Sequence, residues 1–249
     1  MNKFLVLLRH DFYSYFVQWK AMLALVMLLI TMLLGFSLGD AVNEKLQEKN
    51  LGIDIYKNLE NEYGSLDIFI PFILSLLFLP IVILILSYNL ISEERQNNTI
   101  RYYILRISRF SFLLSKIISL FLVLLLVLGI FFLITNIVLM FKLDTPFNFS
   151  GFFHPWLYLS IYSLGLISFY TFLSSFLKSS ALSLFLSFGG LLFLIFAWEI
   201  NLISWFSIFT HINIDFAESS TKLLSYFKFI IYSFVFFLLS WFNIERVDL

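Results

Sequence analysis

The sequence predicts an all-helical integral membrane protein that crosses the bilayer six times. Of its 249 residues, 61% are hydrophobic and only 13% are charged, about half of the charged fraction of roughly 25% that is typical of soluble domains. The mean hydropathy is +0.94. Six apolar segments reach the roughly 20 residues that a transmembrane helix needs. These observations exclude a soluble globular domain.

The six predicted spans differ in length. The third covers about 30 residues, about 45 Å at 1.5 Å per residue, so we expect it to project beyond the hydrocarbon or to tilt strongly. All five tryptophans lie at or just beyond span ends, where an amphipathic ring is most favourable. The spans are residues 21–38, 68–91, 112–141, 156–177, 180–198 and 226–243.

The N-terminal segment, residues 1–19, precedes the first span. Within it, residues 4–19 place aromatic and aliphatic side chains on one helical face, with Val6, His10 and Ser14 opposite. This pattern favours a helix on the membrane surface. The alternative is that the segment extends the first span. The pattern disfavours a cleavable signal peptide, because charged residues interrupt the segment and no small-residue cleavage pattern follows.

The distribution of basic residues predicts the orientation. Ten of the 16 Lys and Arg residues fall on the side that holds both termini. Basic residues prefer the cytoplasm, so we expect both termini inside. The abundance of Phe, Ile, Leu, Lys and Asn favours a prokaryote and hence its cell (plasma) membrane.

We expect one transmembrane domain over residues 1–249, without repeats. Outside the membrane, residues 39–67 are acidic and polar and favour a solvated helical cap. Residues 199–225 begin with an apolar stretch that is too short to span. This length favours a re-entrant or interfacial element.

Residues 92–109, between the second and third spans, form the most charged stretch on the inner side. Asn98 or Thr99 can cap a helix. After this cap, an apolar face of Ile100, Tyr103, Ile104 and Ile107 predicts a short amphipathic helix parallel to the membrane. Two interpretations stay open: docking of this helix on a soluble partner, or a basic loop held by lipid headgroups.

The motifs of this stretch resemble those of ABC-2 type transporter permeases, and the resemblance covers the whole chain. An acidic-basic cluster ends the second span, followed by a Gly-Thr-like cap, a coupling helix and a Ser-Arg-x(6)-Lys-like entry to the third. Asn98 replaces the usual glycine, which asparagine permits because it visits the left-handed region. Ile107 replaces a common proline, so we expect the coupling helix to run on towards Arg109. The motif residues are Glu93-Glu94-Arg95, Asn98-Thr99, Ser108-Arg109, Lys116 and the closing Phe242–Leu249.

The resemblance implies a permease that dimerises with itself or a similar permease, and that exports a substrate driven by two copies of a cytoplasmic ABC ATPase. The chain contains no G-x-x-x-x-G-K-[ST], so we expect ATP and Mg to be bound by that partner. This chain is then no enzyme and holds no cofactor or metal, and nucleic acid is not a partner. The implied coupling residues are Arg101, Tyr102, Tyr103 and Arg106 at the ATPase contact, Glu93, Glu94 and Arg95 as a salt-bridged hinge, and Thr99 and Arg109.

A row of hydroxyl side chains along the fourth predicted span allows two interpretations. Small hydroxylated residues let membrane helices pack closely, and they could also line a substrate path. Gly35-x-x-x-Gly39 is a similar hint of close packing. We expect no ionisable residue in the middle of a span, which favours an apolar or amphiphilic cargo. The row is Ser160, Ser163, Ser168, Thr171, Ser174 and Ser175.

Three other classes of function compete with the permease. An ion-coupled carrier would show buried carboxylates or broken helices in matching halves, and the sequence shows neither. An intramembrane enzyme would need paired catalytic or metal-binding groups inside the spans, but the three histidines are far apart and there are no cysteines. A non-transporting membrane anchor of a larger complex is compatible with the sequence.

Overall fold

The computed structural model describes residues 3–17, 19–49, 66–143, 146–200, 204, 207–212 and 219–246. Within these ranges the regular structure is entirely helical. A 3-10 helix, Ile208–His211, lies between the last two α-helices. The α-helices are α1 (Lys3–Val17), α2 (Trp19–Lys49), α3 (Leu66–Ser87), α4 (Ser92–Gln96), α5 (Thr99–Ile104), α6 (Arg109–Leu143), α7 (Phe149–Phe176), α8 (Ser180–Glu199) and α9 (Ser219–Arg246).

Six segments in the described part of the chain are long and apolar enough to cross a membrane, which confirms the predicted number of spans. The third is the longest: α6 has 35 residues, about 52 Å at 1.5 Å per residue, and therefore exceeds a hydrocarbon core of about 30 Å. The segments are Ala21–Gly39, Ile70–Gln96, Arg109–Lys142, Gly151–Phe176, Ser180–Glu199 and Leu224–Arg246.

The fourth span begins earlier than the hydropathy pattern predicts. The side chain of Asn148 caps α7 by accepting a hydrogen bond from the Gly151 amide at 2.9 Å. This cap satisfies a backbone donor that a helix start leaves unpaired. Helix α7 therefore starts at Phe149 and continues through Pro155.

Helix α1 packs along α6. Its buried residues are Leu7 and Asp11, one helical turn apart. The sequence distinguished an apolar face of residues 4–19 from an opposite face with Val6, His10 and Ser14. The buried residues of α1 lie between these two faces. Phe12 and Tyr15 are only partly buried against the core, whereas Phe16 is half exposed.

Helix α7 is central, because it packs against α3, α6, α8 and α9. All six hydroxyl residues of its predicted row are buried. Several donate to carbonyls one turn earlier, as Thr171 does to Ile167 at 2.6 Å, and Ser168 pairs with Ser233 of α9 at 2.7 Å. These contacts lie within one chain and favour helix packing for the row.

Glycines bring two pairs of spans close together. A Cβ on Gly35 would lie 2.7 Å from Pro71 Cγ, so α2 and α3 approach without room for a side chain. A Cβ on Gly190 of α8 would lie 2.5 Å from Leu173 of α7. Membrane helices use small residues in this way.

Parts of the two predicted outer elements lie outside the described residues, namely 50–65 and most of 201–218. Helix α2 continues beyond its span to Lys49. In the later element, Ser207 donates to the Leu194 carbonyl of α8 at 2.7 Å. A Cβ on Gly165 of α7 would lie 2.7 Å from Ile208, so this segment returns to pack against the spans.

Candidate functional site

The connector, residues 92–109, joins α3 to α6 and contains the short helices α4 and α5. Asn98 separates the two helices with a φ of 56°, the left-handed region that asparagine tolerates better than most residues. The residue therefore takes the conformation for which the motif usually has glycine.

The predicted continuation of α5 towards Arg109 is wrong. Helix α5 ends at Ile104, and the amides of Arg106 and Ile107 both donate to the Tyr103 carbonyl, at 3.0 and 2.9 Å. The side chain of Ser108 accepts from the Ser111 amide at 3.2 Å. Because this serine caps the start of α6, a new helix begins there without a proline.

A buried ion-pair cluster lies between α1, α6 and the connector. Lys116 of α6 is 4% exposed, and its ammonium is 3.0 Å from an oxygen of Asp11 in α1 and 2.9 Å from an oxygen of Glu94 in α4. Asp11 is 2% exposed. One cation thus joins two acids from different elements, and removal of Lys116 would leave both acids without their cation.

Polar and aromatic neighbours complete the cluster. Ser115 donates to the second carboxylate oxygen of Asp11 at 3.2 Å, and the Thr99 hydroxyl donates to the Glu94 carboxylate. The rings of Tyr15 and Tyr103 both lie 5.8 Å from the Lys116 ammonium. Burial raises the pKa of both phenols, so both tyrosines stay neutral and offer ring faces to the cation.

The connector is also bonded to the ends of α7 and α8. The hydroxyl of Ser174 in α7 accepts from the amides of Ile91 and Ser92 at 3.2 and 3.1 Å. Arg95 donates to the Ser175 carbonyl. At the start of α8, Ser180 donates from its amide and its hydroxyl to the side-chain oxygen of Gln96, at 3.1 and 2.6 Å.

Arg109 ties the connector to the end of α9. Its guanidinium donates to the carbonyls of Ile244 and Glu245, at 3.1 and 2.6 Å. Carbonyls in the last turn of a helix lack partners within that helix, and a cation there is favourable. At the opposite end of the chain, Lys3 donates to the Arg106 carbonyl at 3.4 Å. The first and last described helices therefore meet at the connector.

The two faces of α5 have opposite environments. Ile100 is buried, and the Tyr103 ring stacks on Phe112 at 5.6 Å. By contrast, Tyr102 is 72% exposed, Leu105 is 84% exposed and Arg106 is exposed. Of the apolar face that the sequence offered to a partner, Ile100, Tyr103 and Ile107 pack against this chain. The exposed anchors are Tyr102 in α5 and Leu105 directly after it. The side chain of Arg101 lies outside the described part.

The three residues predicted as a salt-bridged hinge have separate partners. Glu94 pairs with Lys116, Arg95 binds the Ser175 carbonyl, and the Glu93 carboxylate accepts from Asn89. Sequence reasoning missed Asp11 and Leu105. A lone acid in the apolar segment 4–19, together with a lysine inside the third span, was the available sign of the ion pair.

Most of the chain matches a known protein family. Residues 5–236 match the family model described as ABC-2 family transporter protein. This range includes all but the first two residues of α1, the whole connector and the first five spans. Among curated proteins, none matches the chain at a significant level.

Proposed function

The chain belongs to the ABC-2 transporter family, and from this premise we propose that it is the membrane-spanning permease of an ATP-driven exporter whose ATPase is a separate polypeptide. The family implies association with an ABC ATPase. One observation carries the proposal furthest: the connector has an exposed outer face and an inner face bonded to α1, α6, α7, α8 and α9.

The outer face of the connector is the proposed ATPase contact. Tyr102 and Leu105 supply exposed apolar anchors, and Arg106 supplies a charge for acidic groups of the partner. Arg101 belongs to the same short helix and is included in this contact. Tyr103 packs inward and takes the role of an internal support. Coupling helix is therefore the name we propose for α5.

The inner face of the connector would transmit movement. An ATPase that pushes on α5 would displace the Lys116 ion pairs and, through Arg95, Gln96 and Arg109, the ends of α7, α8 and α9. In each of these links a charged or hydroxyl group bonds to a backbone carbonyl, a carboxylate or the side-chain oxygen of Gln96. Such directed bonds hold the helix ends together when the connector moves.

The assembled transporter would contain two permeases, either identical or similar, and two ATPases that bind ATP and Mg. Substrate would move outward between the permeases. The permease itself would not be an enzyme. Both termini and the connector would face the cytoplasm of a prokaryotic cell, with α1 on the inner membrane surface, where its exposed Tyr13, Phe16 and Val17 would contact lipid headgroups.

The proposed function is tested by purifying the tagged chain from native membranes in mild detergent and identifying the proteins that co-elute. We expect a P-loop ATPase near one-to-one, and we expect the triple variant Tyr102→Ala, Leu105→Ala, Arg106→Ala to lose it. Phe185→Ala is the matched control, because Phe185 is 71% exposed on α8. Reproducible absence of an ATPase with the wild-type chain would overturn the proposal in favour of an anchor or an ion-coupled carrier.

A further inference from the structure

A lateral groove of about 710 Å³ opens between α8 and α9, with α7 as its floor. This volume lies within the roughly 300–1,000 Å³ of sites that bind small molecules. The groove is apolar except for two side chains, Lys228 and Tyr232. The lining residues are Phe169, Phe172 and Leu173 of α7, Leu186, Gly189, Gly190 and Phe193 of α8, and Lys228, Ile231, Tyr232, Val235, Phe236 and Leu239 of α9.

The groove extends along α9. On α9 its lining residues follow one helical stripe from Lys228 to Leu239, about 16 Å along the axis at 1.5 Å per residue. On α8 the groove is open at Gly189, which has no side chain and where an added Cβ would meet nothing within 4 Å. A single acyl chain matches this shape better than a compact ligand does.

Polar groups occur at one end of the groove and in its wall. Lys228 is exposed, is the one charged lining residue, and pairs with none of the acids that the structure describes. The other polar lining residue is Tyr232, one turn further along α9, whose hydroxyl is buried in the wall. The exposed ammonium of Lys228 is therefore the polar group that the groove offers to a ligand.

We propose that this groove binds a bilayer lipid with an anionic headgroup, whose acyl chain follows the α9 stripe and whose headgroup lies at Lys228. The apolar walls match the hydrocarbon chain, and the ammonium attracts the negative charge of the headgroup. The site requires only that the chain spans a bilayer, so it does not depend on the proposed ATPase coupling.

The test uses the purified full-length chain in detergent, titrated with fluorescent phosphatidylglycerol or fluorescent phosphatidylcholine. We expect tighter binding of the anionic lipid. Lys228→Gln should lower that preference about fivefold, the effect of one basic residue near a membrane surface. Lys178→Gln removes an equally exposed lysine outside the groove and should leave the preference unchanged.

A second variant fills the groove. Gly189→Phe places a ring in open space and should abolish saturable binding of both lipids, whereas Leu182→Phe on the exposed face of α8 should not. Equal affinity for both lipids in the wild type, or unchanged binding in Gly189→Phe, would overturn the proposal. A shift of Gly189→Phe from dimer to monomer with unchanged lipid binding would assign the groove to a second copy and would also overturn it.

Discussion

The connector end of the helix bundle and the groove between α8 and α9 differ in the polarity of their side chains. At the connector, charged and hydroxyl side chains from α1, α6, α7 and α8 bond to one another, to backbone amides and carbonyls, or to the side chain of Gln96. Along the groove, apolar side chains and glycines leave about 710 Å³ open. Directed polar bonds therefore hold the helices together at one end of the bundle, whereas nonspecific apolar contacts leave space between α8 and α9 farther along.

The largest expected effect breaks the connector end. Lys116→Met leaves Asp11 and Glu94 buried or half-buried without their cation, which should cost about 3–5 kcal/mol of stability. The measurement is the melting temperature of the purified chain in detergent. Lys178→Met, which alters an exposed lysine, is the control and should melt with the wild type. A melting temperature of Lys116→Met equal to that of the wild type would show that the ion pairs do not stabilise the fold.

Two glycine substitutions distinguish a tightly packed helix contact from the open groove. Gly35→Ala forces α2 away from Pro71 and should cost about 1–3 kcal/mol as an overpacked contact. Gly189→Ala enters the open groove and should stabilise α8 by about 0.5–1 kcal/mol, because alanine favours the helix. Thermal melting of the two variants in the same detergent checks both signs. Destabilisation by Gly189→Ala would mean that the groove is closed in the molecule.

The smallest expected effect on stability distinguishes the two faces of α5. Tyr102→Ala removes an exposed ring and should change stability by less than about 0.5 kcal/mol, whereas Tyr103→Ala removes a ring stacked on Phe112 and should cost about 2 kcal/mol. Transport-stimulated ATPase activity of the assembled transporter should fall in Tyr102→Ala. A stable Tyr103→Ala variant with normal melting would contradict the assignment of its ring to the interior.

Much of the fold could be predicted from the sequence, because six apolar segments of sufficient length leave few alternatives in a bilayer. The start of α7 was missed because hydropathy does not register the Asn148 cap. Within the connector, periodicity correctly grouped Ile100 with Tyr103 but could not tell whether their face met a partner or this chain. Whether this face meets a partner or this chain depends on the position of α6, and Tyr103 contacts Phe112 of α6.

The ion-pair cluster shows the same limit. Asp11 and Lys116 are more than a hundred positions apart, so no local pattern links them, and a buried charge is recognised only when its partner is in place. The hydroxyl row of α7 could be identified from spacing, but its assignment to packing required the contact of Ser168 with Ser233. Sequence alone therefore left both the pairing and the role of these groups open.

The proposed function depends on contact between the outer face of the connector and a separate ATPase. The most direct measurement places a photo-crosslinking amino acid at Leu105 and, as a control, at the similarly exposed Phe185 of α8, followed by irradiation of native membranes. We expect a crosslinked product from position 105 that contains a P-loop ATPase, and none from position 185. Absence of that product at 105, or an equal product from both positions, would contradict the proposed contact.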